Sequence, residues 1–473
     1  MRELIQKMKP DNFEDIIVAI SLYRPGPMDK IPEYLRNRNR PERIKYAHPL
    51  LEPILGVTFG VAVYQEQVMQ IVRDLAGYDY ARSDEIRRVM SKKKAEEMQM
   101  QREIFVNGCK EANDIPERIS NKLFDDMTDF ASYAFNKSHA AAYAVVAYRT
   151  AYLKAHYPTE FMAALMTSFM GGDGSKIAQY IRNCRELGLE VLPPCILKSD
   201  RKFSVEDGKI RMGLRSVKNC GDGAIDSIIS LRKSGAHLAS IRDFVDHIDA
   251  SAVNTKAVES LIYAGAFDCI QSNRASALRM YKLFSEQAKK ERGRVIEGQG
   301  SLFDMIRDDI NQGDEDLIGP DFEMPQKLAL EKEVLGMYFS GHPLDDYRWI
   351  INEISNTTSD ELNNPKDYPD RRAAADVIIV GQITHVKNFI TKKGDQMAVI
   401  LFEDLVGTIE VVVFPGPYAK AGDVIRENEI VVVRGKDKRD SDGAVRVEAS
   451  KITPIEKVEV FLQNRGKNEN CEK

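Results

Sequence analysis

The segment EIRRVMSKKK contains two adjacent arginines and three consecutive lysines with no acidic residue between them: Arg87, Arg88, Lys92, Lys93 and Lys94. Each planar guanidinium group can bind phosphate oxygens through two hydrogen bonds at once, so neighbouring arginines suit a triphosphate. A helix here would place Arg88 and Lys92 one turn apart. The segment therefore predicts a phosphate-binding surface, and the alternative is a solvated helix face.

A helix beginning near Asn136 is predicted for the segment FNKSHAAAYAVVAYRTAYLKAHYP. Its first turn is polar and its later turns are rich in alanine, which favours close packing behind a polar end. Helical spacing would place Asn136, His139 and Tyr143 on one face. The amides at such a helix start can bind phosphate. Alternatively, His139 is only a cap or a partner within the fold.

Two glycine turns between short helices are typical of helix-hairpin-helix units. RMGLRSVKNCGDG, followed by AIDSIISLRK, supplies the first turn with Lys218, Gly221 and Gly223, and KAVESLIYAGAFDCI supplies the second with Gly265. Glycines at such turns let backbone amides approach a DNA phosphate without reading bases. We therefore interpret these four residues as DNA-binding. A helix-Gly-helix turn is common in other contexts, so the pattern alone is weak.

Five segments near the C-terminus have the alternation of β-strands and suit a small OB-type barrel: DVIIVGQITHV, MAVILFED, GTIEVVVFP, EIVVVRGKDK and GAVRVEASKI. Lys387 and Phe389 lie at the end of the first strand, and Lys392 and Lys393 follow it. Aromatic and basic side chains together are typical of single-stranded DNA binding. The alternative for the two lysines is a charged hairpin tip.

The pentapeptide QGSLF stands in the polar stretch GQGSLFDMIRDDINQGDEDLIGPD, which we interpret as a flexible connector. Leu302 and Phe303 would be exposed there unless a partner pocket receives them. Together with Gln299 and Ser301 they form a candidate docking peptide. The alternative is a local contact with the chain's own helices.

The stretch SLYRPGPM predicts a rigid corner with a structural role for Arg24, Pro25, Gly26 and Pro27. Each proline fixes its own φ and restricts the residue before it, while glycine reaches φ values that other residues avoid. Arg24 would then project from a fixed point. A plain surface turn is the alternative.

These motifs, with VYQEQVMQI and YLKAHYPTEFMAALM, resemble in order and spacing the fingers region of the bacterial replicative DNA polymerase III alpha subunit. The resemblance runs from Met1 to about residue 455. The fold class expected is multidomain α+β, with a large helical fingers domain, a helix-hairpin-helix domain and a C-terminal OB-type β-barrel. The expected boundaries are fingers 1–205, tandem helix-hairpin-helix 206–297, connector 298–374 and OB-fold 375–458.

The resemblance implies partners and residue roles. Arg87, Arg88, Lys137 and His139 would contact the incoming dNTP, and QGSLF would dock into the sliding clamp. Primer–template DNA and other DNA polymerase III holoenzyme subunits are further expected partners. In this family the palm with its catalytic aspartates and a phosphoesterase-like domain precede the matched segment. We therefore expect no catalytic residue in this chain, no unaided polymerisation, and Mg²⁺ only where a palm is present.

The acidic residues agree with that expectation, because no acid pair lies on an apolar strand, where two-metal chemistry needs one. Asp314-Glu315-Asp316 and Asp440-Ser441-Asp442 lie in polar, loop-like surroundings, and Asp125-Asp126 suits a helix face. We therefore expect no metal site in this chain.

Bulk composition sets outer limits on function. The chain has 473 residues, 43% of them hydrophobic, and a net charge of −5, so positive charge for DNA must be local. Six cysteines without a C-x-x-C pair indicate a reducing cytoplasm, and no leader or membrane-spanning segment is recognisable. Two alternatives stay open: a non-catalytic DNA-binding protein of helix-hairpin-helix and OB modules, or an inert relic. Only a polymerase would need Arg87, Arg88, Lys137 and His139 to contact a nucleotide.

Overall fold

The computed structural model describes residues 1–92, 95–131, 134–172, 174–296, 317–364, 376–439 and 445–471. The chain divides into two compact units, Met1–Phe161 and Met162–Lys473, and each is treated separately below. Among the described residues, no helix combines the length and the apolar character needed to cross a membrane.

Helices dominate both units. They are α1 (Arg2–Met8), α2 (Phe13–Leu22), α3 (Ile31–Asn39), α4 (Glu52–Leu55), α5 (Gln65–Ala76), α6 (Tyr80–Lys92), α7 (Ala95–Asn113), α8 (Glu117–Ala131), α9 (Lys137–His156), α10 (Pro158–Ser168), α11 (Gly174–Glu186), α12 (Asp222–Lys233), α13 (Ile241–His247), α14 (Thr255–Tyr263), α15 (Arg274–Ile296), α16 (Met324–Leu335), α17 (Arg348–Ile354), α18 (Ser359–Asn363), α19 (Pro415–Ala421) and α20 (Ile455–Cys471).

The strands are short in the middle of the chain and long near its end. They are β1 (Val191–Leu192), β2 (Ser204–Glu206), β3 (Lys209–Arg211), β4 (Asp376–Ile390), β5 (Gln396–Glu403), β6 (Thr408–Val413), β7 (Ile430–Arg439) and β8 (Val445–Pro454).

The first unit is helical around two apolar cores. Helices α5 to α8 enclose one core, in which Phe105 and Phe124 are fully buried. Helices α1 to α3 and the start of α9 form the other. Ala140 and Ala144 of α9 are buried in that second core, and their small side chains let α9 pack against α2. The alanine-rich pattern thus positions the polar start of α9.

The RPGP corner follows α2 and turns sharply. Gly26 has φ 102°, a value that glycine reaches without strain, and Pro27 opens a short 3₁₀-helix ending at Lys30. The amide of Met28 donates to the carbonyl of Arg24 at 3.1 Å and closes the corner. The backbone of Arg24 is therefore held at a fixed point, as the sequence predicts.

The helical part of the second unit contains a small three-stranded sheet and a cluster of short helices. Strand β3 lies between β1, to which it is parallel, and β2, to which it is antiparallel. A tight turn at Asp207 and Gly208, with φ values of 50° and 76°, joins β2 to β3. Helices α12 to α15 follow. The range 298–374, predicted as a connector, contains α16, α17 and α18 in its described part.

A buried ion pair joins α15 to α16. The guanidinium of Arg274 donates to Glu331 at 2.7 Å and to Asp268 at 2.8 Å, and its side chain is only 5% exposed. The fully buried carboxylate of Glu331 also accepts from the amides of Phe339 and Ser340. Burial opposes the charged form of Arg274, but Asp268 and Glu331 outweigh it and raise its pKa. This network ties the two helices together.

The last strands form a closed barrel in the order β4-β5-β6-β8-β7, with β6 and β8 parallel and the other neighbours antiparallel. Alternate residues point inward, and Ile400 and Phe402 of β5 are fully buried in the core. Lys332 of α16 forms an ion pair with Glu403 of β5 at 2.5 Å, which fastens the barrel to the helical part of its unit. The five predicted strands and the barrel are confirmed.

Candidate nucleotide and nucleic-acid interface

The start of α9 is held by a carboxylate from α5. Glu66 accepts from the backbone amide of Lys137 and from the side-chain amide of Asn136, each at 3.0 Å. Asn136 in turn caps the helix by accepting from the amide of His139 at 2.8 Å. The carboxylate of Glu66 therefore accepts the hydrogen bond of the first helix amide, where the sequence alone predicts a bound phosphate. A phosphate near this helix would have to bind chiefly through side chains.

The residues before Glu66 connect the same helix start to α6. The side-chain amide of Gln65 donates to the carbonyl of Ala134 at 3.2 Å, and its oxygen accepts from Arg87 at 3.2 Å. The backbone of Gln65 donates to the carbonyl of Phe135 at 3.0 Å. Tyr64, Gln65 and Glu66, which we call the 64–66 hub, thereby link α6 to the start of α9.

The RPGP corner reaches the same place through an aromatic contact. The guanidinium of Arg24 lies 3.9 Å from the ring centroid of Phe135, directly before the cap of α9. His139 lies between two rings, 5.4 Å from Phe135 and 4.7 Å from Tyr143. Arg24, Arg87, Lys137 and His139 therefore surround one short stretch of chain.

Carboxylates pair with the cationic groups of this cluster. Asp84 accepts from both arginines of α6, from Arg87 and from Arg88 at 2.7 Å each. The hydrogen bond from Arg87 is the main cause that lowers the pKa of Asp84. Lys137 lies 3.0 Å from Glu14 of α2. A triphosphate that binds here would have to displace these carboxylates, so that its own oxygens pair with the cationic side chains.

The predicted nucleotide-binding residues are therefore not all connected to the 64–66 hub in the same way. Arg87 and Lys137 form hydrogen bonds with the 64–66 hub, and His139 is connected to it through Asn136. Arg88, with 66% of its side chain exposed, pairs with Asp84, which also accepts from Arg87. Lys92 is the last residue of α6, and Lys93 and Lys94 lie outside the described residues. Gln65 and Glu66 were missed as site residues, although their motif, VYQEQVMQI, is among those that carry the family resemblance.

The first hairpin turn presents an open surface. A side-chain carbon added to Gly221 or Gly223 would meet no atom of the chain within 4 Å, so packing does not require glycine there. Lys218 is exposed beside them, and a cavity of about 380 Å³ is lined by Lys218, Asn219 and Gly221 among others. This geometry allows the close backbone approach that a DNA phosphate needs.

The second hairpin turn is filled by the protein itself. A side-chain carbon at Gly265 would lie 2.4 Å from the guanidinium of Arg274 and 3.0 Å from a carboxylate oxygen of Asp268. Gly265, which has a φ of 80°, thus allows its backbone to lie close to Arg274 of the same chain. DNA binding at both turns stays a prediction, and their structures differ because the second turn lies next to the buried ion pair of Arg274.

The outer face of the barrel carries the predicted aromatic and basic side chains. Lys387 and Phe389 alternate along the end of β4, in register with Val399 and Met397 of β5. Phe389 is 46% exposed, and Lys392 and Lys393 are exposed in the turn before β5. An exposed ring beside lysines could stack on a base while the lysines neutralise phosphates.

We expect Phe389→Ala to weaken binding of an oligo-dT strand by about 1–3 kcal/mol, because the mutation removes a stacking platform. Phe414→Ala is the matched control, since Phe414 follows β6 and is similarly exposed, at 43%. Fluorescence anisotropy at fixed salt measures both affinities. Equal losses for the two variants would contradict a specific role for Phe389.

Metal ligands do not gather in the part of the chain that the structure describes, where no group of three or more His, Cys, Asp or Glu side chains could hold an ion. Asp125 is paired with Arg102 at 2.5 Å, which fits the helix-face interpretation. The other two acidic runs, Asp314 to Asp316 and Asp440 to Asp442, lie outside the described residues. That this chain holds no metal stays a prediction.

Three family models match in the order of these elements. The bacterial DNA polymerase III alpha subunit finger domain matches residues 1–113, a helix-hairpin-helix motif matches 188–277, and an OB-fold nucleic acid binding domain matches 377–455. A DNA polymerase III subunit alpha of Neisseria meningitidis serogroup B is 38% identical over 460 residues, which is 96% of this chain. The chain belongs to the bacterial DNA polymerase III alpha subunit family. Its predicted fold class is likewise confirmed.

Two further relatives in the alpha subunit family come from distant bacteria. The subunit of Thermus aquaticus is 39% identical over 97% of this chain, and that of Aquifex aeolicus is 37% identical over 92%. The chain spans only about two fifths of their length, 37% of the first and 35% of the second, and 39% of the Neisseria relative. The domain boundaries and individual site residues stay predictions.

Proposed function

We propose that this chain binds the incoming dNTP, the primer–template duplex and the single-stranded template during DNA synthesis by a replicative polymerase. The observation that carries the proposal is the 64–66 hub, which forms hydrogen bonds with Arg87 and Lys137 and is connected to His139 through Asn136. A polymerase needs cationic donors preorganised around a triphosphate, because negative charge builds up as pyrophosphate leaves. A protein that only binds DNA has no such need.

The duplex and the single strand would bind elsewhere on the chain. The open turn at Lys218, Gly221 and Gly223 suits backbone contacts to a duplex, and the exposed face of β4 suits stacked bases. Neither surface requires reading of base edges, which fits an enzyme that must copy any sequence. Lys92, Lys93 and Lys94 would add contacts to DNA phosphates.

The remaining partners rest on the family alone. Gln299, Ser301, Leu302 and Phe303 lie outside the described residues, and their docking into the sliding clamp is proposed from the motif. Contacts with other holoenzyme subunits and a cytoplasmic location are proposed on the same ground. Where a palm domain is present, Mg²⁺ held there would neutralise charge on the transferred phosphates. We propose that without a palm the chain does not polymerise.

The non-catalytic alternative also has an observation in its favour. Asp84 and Glu14 already neutralise Arg88 and Lys137, as they would if these ion pairs served only to fasten helices together. In that case the chain would bind DNA and ignore nucleotides. Nucleotide dependence therefore separates the two functions.

The DNA-binding part of the proposal can be tested with the chain as it stands. We expect Lys218→Ala to weaken binding of a primer–template duplex and to reduce the slope of log affinity against log salt by about one. Lys233→Ala is the matched control, because Lys233 is an exposed lysine at the opposite end of α12. Anisotropy titrations at several salt concentrations give both quantities.

Two outcomes of this titration would contradict the DNA-binding part of the proposal. One is the absence of duplex binding by the unmodified chain at low salt. The other is an equal loss for Lys218→Ala and Lys233→Ala, which would assign the effect to general charge and not to the open turn.

A further inference from the structure

Asn219 lies inside the open hairpin turn, between Lys218 and Gly221. Its φ is 64°, in the left-handed region that few residues other than glycine adopt without strain. Asparagine is one of those few, and unlike glycine it has a side chain that can hold the turn to a neighbouring element. The residue at this position therefore combines a left-handed backbone with an anchor.

The side chain of Asn219 reaches a buried hydroxyl group on α14. Its amide donates to the hydroxyl oxygen of Ser260 at 3.0 Å, and the two residues are 41 positions apart in the sequence. Asn219 is exposed, whereas Ser260 has no exposed surface. Helix α14 leads into the second glycine turn, where Gly265 lies against Arg274. One hairpin therefore holds the turn of the other.

The two sides of the turn differ in how firmly they are held. On one side, the backbone amide of Lys218 donates to the carbonyl of Val334 on α16 at 2.9 Å. On the other side, a side-chain carbon added to Gly221 would meet no atom of the chain within 4 Å. The hydrogen bond between Asn219 and Ser260 lies where the held part of the turn meets the open part.

We propose that Asn219 is a positioning residue for duplex binding, which acts by holding the turn at Lys218, Gly221 and Gly223 through Ser260. Backbone amides of the turn can donate to a DNA phosphate only when they point toward it. The hydrogen bond restricts the turn before DNA binds, so less conformational entropy is lost on binding. The inference rests on the proposed DNA binding at this turn, to which it adds a buried support.

The first test removes the buried acceptor. Ser260→Ala changes a side chain that DNA cannot reach, because Ser260 has no exposed surface. We expect the affinity for a primer–template duplex to fall by about 3- to 10-fold, the effect of losing one ordinary hydrogen bond. The slope of log affinity against log salt should stay unchanged, because no contact between a cation and a phosphate is lost. Anisotropy titrations of the full chain at several salt concentrations measure both quantities.

The second test removes the donor. Asn219→Gly keeps the left-handed backbone accessible and deletes the side chain, at an exposed position where the fold tolerates the change. It should also weaken duplex binding. Adding Ser260→Ala to Asn219→Gly should cause no further loss, because the hydrogen bond is already absent. Circular dichroism confirms that each variant is folded at the temperature of the titration.

Ser276→Ala is the matched control for loss of a buried hydroxyl group. Ser276 lies on α15 in the same unit, has no exposed surface and accepts from the amide of Gly319 at 3.2 Å. Its replacement should leave the duplex affinity unchanged. An equal loss for Ser276→Ala would overturn the inference, since general loosening of the unit would then explain the effect.

Two further results would overturn the inference while the proposed DNA binding stands. One is native affinity of Asn219→Gly in a chain whose binding is weakened by Lys218→Ala. The other is additive losses in the double variant, which would mean that Asn219 and Ser260 act separately. If Lys218→Ala binds the duplex as tightly as the unmodified chain does, the proposed binding at this turn fails, and the inference fails with it.

Discussion

Replacing Arg274 by alanine is expected to lower the free energy of unfolding of the second unit by about 3–5 kcal/mol, because it leaves a buried carboxylate without its cation. Glu331 has no exposed surface and would keep only the amides of Phe339 and Ser340 and the hydroxyl of Ser340 as hydrogen-bond partners. Guanidinium chloride unfolding, followed by circular dichroism, measures the change.

Two further variants locate the cause of that loss. Lys438→Ala breaks an ion pair with Glu448 in which the lysine side chain is 66% exposed, and it should cost at most about 1 kcal/mol. The double variant Arg274→Met with Glu331→Met should recover much of the stability, since apolar side chains can replace a buried pair. If Arg274→Ala costs no more than Lys438→Ala, the buried network does not stabilise the unit.

The second large effect concerns nucleotide use. We expect Arg87→Ala to lower kcat/KM for dNTPs on the order of 10²-fold, because it removes a preorganised donor next to the triphosphate. The substitution can be made in a chimera in which this chain replaces the matching segment of the Thermus aquaticus subunit. Primer extension at varied dNTP concentration gives kcat and KM. The affinity for primer–template should change little, because the surface proposed to bind the duplex does not include Arg87.

The matched control is Lys110→Ala, which removes one exposed positive charge from α7 in the same unit. It should leave the kinetics unchanged. The opposite pattern, lost DNA affinity with normal nucleotide dependence for Arg87→Ala, would assign the arginine to the template backbone. That result would favour the non-catalytic DNA-binding protein.

The barrel could be predicted from sequence because its signal is local. Along β5, alternate residues such as Ile400 and Phe402 are buried, and the period of two is visible in MAVILFED. Glycine and aspartate mark the turns between strands. The order of the strands, with β6 parallel to β8, could not be predicted from the local pattern, since it depends on contacts between distant strands.

Of the proposed nucleotide site, the sequence indicated only the cationic side chains. Asn136 and Glu66 are 70 residues apart, and no periodicity in either segment indicates that they touch. The pairing of Lys137 with Glu14 is likewise a result of the packing of α9 on α2. Residue type therefore suggested the candidate donors, while the carboxylates that pair with them could be seen only in the fold.

The two glycine turns also could not be distinguished from the sequence alone. Gly221 and Gly265 have similar sequence surroundings, a glycine between apolar helices. What differs is Arg274, whose guanidinium reaches Gly265 from the start of α15 and is drawn inward by Glu331 on α16. A local pattern cannot report a neighbour that comes from another helix.

The pairing of Asp84 with Arg87 and Arg88, and of Glu14 with Lys137, also affects how an anion would reach the site. Opposite charges at hydrogen-bond distance nearly cancel when viewed from beyond a Debye length, which is about 8 Å at physiological ionic strength. Three cationic side chains against two carboxylates leave one net positive charge, which salt screens beyond that distance, so the cluster exerts only a weak long-range attraction on a diffusing triphosphate. Capture would depend on collision followed by local exchange of partners, so the association rate should vary only weakly with salt, while simple anions such as chloride gain too little to displace the carboxylates.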